Sequence, residues 1–95
     1  MVQATWNGQV LAESDDTVVV DGYTYFPEAA VRQDLLRRSD HHTRCYWKGQ
    51  ADYHDIVVDG HTNRNAAWHY LQPSDQAIRA GIQGRIAFWK GVEIR

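Results

Sequence analysis

The one thiol of the chain, Cys45, stands three positions before Lys48, which is one of only two lysines. Thiolate is the nucleophilic form of cysteine, and nearby positive charge stabilises it. Lys48 supplies such charge, with His41 and His42 just upstream. The pair is the candidate catalytic centre, with Cys45 as nucleophile or redox group and Lys48 lowering its pKa or holding an anion. The competing reading is a cysteine acting as a small apolar core group, the commoner fate of a single free thiol. Gly49 follows Lys48 and lets a ligand or a second backbone come close.

Around this pair the chain carries aromatic residues able to wall a site. Trp47, Tyr53, Trp68, Tyr70 and Trp89 could stack a flat ligand, with Lys48 or Arg32 meeting an anionic group. Trp68 and Tyr70 fall on one strand face at period two, with His69 on the other, so a cleft bordered by one is bordered by both. Trp6 and Trp89 read as core, because their strands alternate apolar residues. The candidate ligand-binding residues are therefore Arg32, Tyr53, Trp68 and Tyr70.

Metal chemistry has a weaker basis. His41, His42 and Cys45 lie within five positions, and His54, His61 and His69 follow, but no paired Cys-x-x-Cys or regular four-ligand spacing is present. No metal is expected. His54 and Asp55 could act as an acid and base pair only if the fold joins them, since neighbours in a strand point apart.

The elements that must position these residues are mostly strands. Val2, Ala4 and Trp6 alternate up to Asn7-Gly8, the preferred two-residue hairpin turn, and QVLAES continues beyond it. The runs TVVV and DIVV both stop at Asp-Gly, at Asp21-Gly22 and Asp59-Gly60, which predicts two more hairpins. NAAWHYL and RIAFWK read as aromatic-rich strands, and Gly91 precedes a last short one. Two short helices interrupt them. Pro27 and Glu28 open the first, with Val31 and Leu35 on one face; Ser74 or Asp75 caps the second, which Gly81 or Gly84 ends. The polar stretch from Arg37 to Arg44 reads as an exposed connection.

The chain also repeats itself. Trp6-Asn7-Gly8-Gln9 recurs as Trp47-Lys48-Gly49-Gln50, and Val19-Val20-Asp21-Gly22 as Val57-Val58-Asp59-Gly60, in the same order. Two β-rich units around an approximate two-fold, with Trp89-Lys90-Gly91 opening a closing strand, fit this pattern. Independent hairpins reusing the same favourable turns fit it as well.

At 95 residues the chain suffices for one domain, spanning 1–95, with one core. It is 43% hydrophobic, and no apolar run approaches the roughly 20 residues of a membrane span. Ten basic against twelve acidic residues give a net charge of −2, far from the basic balance of a nucleic-acid binder. Eight of the ten cations are arginines, read mainly as surface ion pairs. The N-terminal stretch lacks a basic segment and an apolar core, so a cytoplasmic location is expected. Partners are expected to be a small molecule or a protein, with neither nucleic acid nor membrane involved.

The stretch TRCYWKGQADY, with YTYFPEAAVRQDLL before it and NAAWHYLQP and RIAFWKGVEI after it, resembles the bacterial family known as domain of unknown function 427. The resemblance spans essentially the whole chain. Its pattern falls on Tyr25 to Pro27, Cys45 to Gly49, Ala67 to Tyr70 and Phe88-Trp89, with Tyr46 standing where that family usually has proline. It implies compact, strongly coiled antiparallel sheets in a tent-like arrangement, and its nucleotidyltransferase-type label is a hint about activity. No glycine-rich phosphate loop supports that label here, and alternation places Asp52 and Asp55 on opposite faces.

The fold expected is thus mainly β, all-β or β-dominated α+β. The leading functional expectation is a small-ligand-binding or enzymatic domain with a cleft around Cys-Tyr-Trp-Lys-Gly. A non-catalytic protein-interaction module and a nucleotidyltransferase-like activity are the alternatives.

Overall fold

A computed structural model describes all 95 residues. The hairpins form where turn chemistry demands them. Asn7 and Gly8 have φ of 51° and 76°, Asp21 and Gly22 54° and 82°, and Asp59 and Gly60 50° and 78°, the paired left-handed conformations of a type I′ turn. They join β1 (Val2–Trp6) to β2 (Gln9–Ser14), β3 (Val18–Val20) to β4 (Tyr23–Pro27), and β6 (Gly49–Val58) to β7 (His61–His69). The remaining strands are β5 (Leu36–Cys45), β8 (Arg85–Phe88) and β9 (Glu93–Ile94).

These strands make two antiparallel sheets, and neither closes into a barrel. The small sheet has the order β2-β1-β9, and the large one β3-β4-β8-β7-β6-β5. Both halves have a Trp-x-Gly turn, an Asp-Gly hairpin and then a helical turn, but in the first half β2 and β3 belong to different sheets, where the second half has the single strand β6.

Alternation along the large sheet divides the apolar side chains between its faces. Phe26, Ile56, Ala67, Ile86 and Phe88 meet Ala4, Leu11 and Ala12 of the small sheet in one cluster. Tyr25, Ala51, Trp68 and Ala87 face the other way, where Ala77 and Ile82 cover them with Tyr70. No helix is long and apolar enough to cross a membrane.

Two local expectations change. The helix expected from Pro27 to Leu35 is two single 3-10 turns, Glu28–Ala30 and Gln33–Leu35. Between them Val31, β-branched and at φ −103°, is extended; it bridges Ala12, and the Arg32 amide donates to Leu11 O at 2.7 Å. The apolar face survives, since Val31 is buried and Leu35 packs on the same cluster. The helix after Ser74 does form, as α1 (Asp75–Arg79), with Ser74 Oγ accepting from the Ala77 amide at 3.1 Å.

Arg37 to Arg44 is exposed but is not a connection: it lies within edge strand β5. Pairing with β6 through a bulge between Arg38 and His42 satisfies one side of its backbone. Its charged side chains suit an edge that must not recruit another strand.

Candidate functional site

The site follows from one cross-strand row of the large sheet. Tyr25 of β4 pairs with Ala87 of β8, Ala87 with Trp68 of β7, and Trp68 with Tyr53 of β6, all on the face opposite the small sheet. Ala87 is small, so the rings on either side approach over it. Tyr25 and Trp68 stand edge to face with centroids 6.2 Å apart, and Trp68 Nε1 donates to the Tyr25 hydroxyl at 3.4 Å. Tyr23, from the start of β4, packs edge-on against Trp68 at 4.9 Å, and Trp89 does so at 5.9 Å.

These rings enclose a hollow of about 140 Å³ lined by Tyr23, Lys48, Tyr53, Trp68, Tyr70 and Trp89. Two larger hollows, near Gln50 and Leu71 and near Trp6 and Gly91, each have a single hydrophobic lining residue. They offer a ligand little apolar burial in exchange for water.

Lys48 is the only charged residue buried in the molecule, at 6% exposure. Its Nζ lies 2.8 Å from Asp21 Oδ2 and 5.1 Å from the centroid of the Trp47 ring. Burial works against its charge, but the hydrogen bond to Asp21 and nearby Tyr25 prevail and hold its pKa above the usual lysine value. Lys48 is therefore a fixed ammonium. Burial, reinforced by Tyr25, pushes the Tyr70 phenol up in the same region, so Tyr70 stays neutral.

The turn that carries Lys48 is held from behind by α1. The Ser74 amide donates to Lys48 O at 3.0 Å, and Ser74 Oγ donates to Trp47 O. Gly49, at φ +107°, lets this happen: a Cβ there would stand 3.0 Å from Gln72 O. Of the two neighbours that a glycine beside Lys48 could admit, the structure places a second backbone.

Lys48, Tyr53, Trp68 and Tyr70 are thus brought together. Cys45 pairs with Gly49 at the end of β5, is half-buried at the margin of the same aromatic cluster, and does not line the hollow. Arg32 is not brought to it; its guanidinium is engaged by Asp34 at 2.9 and 2.8 Å. Trp47 lies beside Lys48 but outside the lining, and Tyr46, 98% exposed, points into water. Trp6 packs on the core as expected. Trp89 departs from its core assignment: β8 ends at Phe88, and the Trp89 indole turns to the hollow with Nε1 donating to Asn65 O at 2.6 Å.

Tyr23 and Asp21 are contributed by the β3–β4 hairpin, and no sequence pattern marks either as a site residue. Asp21-Gly22 announces the turn, but only the packing of that hairpin beside the Lys48 turn gives its aspartate a task.

Among the histidines, His41 lies against Tyr53 with centroids 4.7 Å apart and the rings tilted by 55°, and no three His, Cys, Asp or Glu side chains converge on a metal site. His54 does not meet Asp55, whose Oδ1 accepts from the Asn65 amide at 2.9 Å. Its Nε2 instead lies 2.7 Å from His69 Nδ1, the rings stacked 4.8 Å apart on the face opposite the hollow. Burial is the main cause holding both below the usual 6.5. His69 and Arg38 add to this at His54, and Arg38 at His69; Asp52 opposes it at both, with Asp55 at His54 and Glu28 at His69.

The unfolded chain therefore takes up protons that the folded one resists. Stability is full above about pH 6.5 and falls as pH drops from there through the depressed folded values. Melting temperatures taken from about pH 8 to about pH 5 are expected to show this limb, and the double variant His54→Gln/His69→Asn to flatten it. An unchanged slope in that variant would assign the acid limb to other groups.

A family model described as a domain of unknown function (DUF427) matches residues 1–94. The chain belongs to that family. The DUF427 model also bears a nucleotidyltransferase-type name. No curated protein matches the chain. The DUF427 match covers every lining residue of the hollow.

Proposed function

We propose that this DUF427 domain is a small-ligand-binding domain whose site is the aromatic hollow at Lys48. The observation that carries this reading is a permanently charged, buried lysine set among five aromatic residues that leave a space open to solvent. Burying an ammonium is costly and adds nothing to a core that apolar residues could fill. Its placement in the lining of a preformed apolar space is the pattern of a recognition site, apolar walls with one orienting polar group.

A volume of about 140 Å³ suits one six-membered ring. The lining of the hollow offers one cation and the chain has no glycine-rich phosphate loop, so the nucleotidyltransferase name adds no weight to this reading. A protein-docking surface fits less well, because Trp68 and Tyr70 are only 6% and 7% exposed and a broad partner surface would not reach them. Lys48 lines the hollow and Cys45 does not, so binding is favoured over a mechanism in which Lys48 activates the thiol.

Tyr23 is 38% exposed, so Tyr23→Ala removes a wall of the hollow without emptying the core. Titration of single-ring compounds against tryptophan emission should give saturable binding in the parent protein. The same titration with Tyr23→Ala should show about tenfold weaker affinity, in keeping with the loss of one well-packed aromatic contact. Binding that is indifferent to Tyr23 would place the ligand elsewhere. Cys45→Ser is expected to leave affinity within about threefold, since the thiol borders the hollow without lining it; a total loss would bring Cys45 into the chemistry.

A further inference from the structure

We propose that the ligand is a small planar monocarboxylate, and that Asp21 is a resident counter-ion which the ligand's carboxylate displaces from Lys48. This rests on the binding reading above and names the chemical class that the hollow selects.

The argument begins with an asymmetry in the Lys48–Asp21 pair. The Lys48 side chain is 8% exposed and that of Asp21 is 56% exposed. Asp21 sits at the tip of the β3–β4 turn, where its carboxylate is already half in water. If the pair breaks, Asp21 recovers its hydration by a side-chain rotation. Lys48 has no such recourse, because Trp47, the backbone of Gly49 and the cap of α1 hold its turn in place. The charge that belongs to the site is therefore the positive one, and the negative one is exchangeable. An exchange of one carboxylate for another never leaves the buried ammonium unpaired, so a carboxylate that also buries an apolar body can displace Asp21.

The walls point the same way. None of the six lining side chains is an acid. The ammonium carries three donors, and Asp21 Oδ2 is its one ion-pair partner, at 2.8 Å. Aromatic hollows often take cations, but here the ammonium of Lys48 already stands at the wall and repels a second one. A flat ring fits the remaining space: Tyr23 and Trp89 present themselves edge-on to Trp68, while Tyr53 lies tilted by 38° to it. A single ring bearing one carboxylate matches both the size and the charge.

The test compares benzoate, benzamide and benzylammonium, three single-ring ligands of similar size and different charge, by calorimetry and tryptophan emission. In the parent protein benzoate is expected to bind at least about tenfold more tightly than benzamide, and benzylammonium more weakly than either. In Asp21→Asn, with the competing carboxylate gone, benzoate should tighten by about tenfold while benzamide stays unchanged. In Lys48→Met the preference for benzoate should vanish. Benzamide or benzylammonium binding as tightly as benzoate, or Asp21→Asn weakening benzoate, would overturn the inference and leave ring binding at the hollow intact. Silence with all three ligands would overturn the binding reading itself, and this inference with it. The comparison of the three ligands in the parent protein decides the matter even if neither variant folds.

Discussion

Trp68→Ala is expected to cost about 3–5 kcal/mol of folding stability, the usual toll of emptying a large aromatic site. For a domain of this size that is on the order of 15–30 °C in melting temperature. The reason lies in the position of Trp68 in the sheet. It is in the middle of the row Tyr25, Ala87, Trp68 and Tyr53, and its ring contacts Tyr23, Tyr25, Tyr53 and Trp89. Alanine at 68 would stand beside Ala87 with nothing to support the four rings around them. Urea unfolding of the variant measures the cost, and Trp68→Phe serves as control: it should retain more than half of the stability and lose the hydrogen bond to Tyr25. A loss below about 1 kcal/mol for the alanine variant would contradict the packing described.

The second large effect is expected at a residue with no side chain. Gly49→Ala should destabilise by about 2–3 kcal/mol, since it forces a side chain into a strained backbone region against a fixed neighbour. At φ +107° the backbone already disfavours alanine, and the added Cβ would meet the backbone oxygen of Gln72 at 3.0 Å. A flexible side chain could yield, but this carbonyl belongs to the segment from which Ser74 clamps the Lys48 turn. Gly8→Ala is the comparison. It occupies the corresponding Trp-x-Gly turn at φ +76° with no atom within 4 Å, so only the conformational penalty of about 1 kcal/mol applies. Equal losses at the two positions would show that contact with Gln72 does not matter. Gly49→Ala should also weaken ligand binding, because it displaces the turn that presents Lys48.

These two residues stood very differently in the sequence. Trp68 was marked as a candidate by its strand and by Tyr70 at period two, and the structure lines the same hollow with both. Gly49 was marked only as a place where something comes close, and what comes close is the chain itself. The helix at Pro27 was read from sound local signals, yet the bridge from Val31 to Ala12 divides it into two turns. The strand β5 was hidden for the opposite reason: an edge strand needs no apolar alternation, and Arg37 to Arg44 has none.

Sequence by itself determined what depends on neighbouring residues: the type I′ hairpins at Asn7-Gly8, Asp21-Gly22 and Asp59-Gly60, the mainly β class, a helix capped at Ser74 or Asp75 and the family. It also singled out Lys48, Tyr53, Trp68 and Tyr70. Tertiary structure alone decided that Asp21 faces Lys48, that Tyr23 and Trp89 complete the walls, that His54 meets His69, and that Arg32 turns to Asp34. Turns and alternation are local consequences of steric preference and strand period. Which hairpin tip lies beside which turn depends on how two sheets bury their faces, and that is a property of the whole chain.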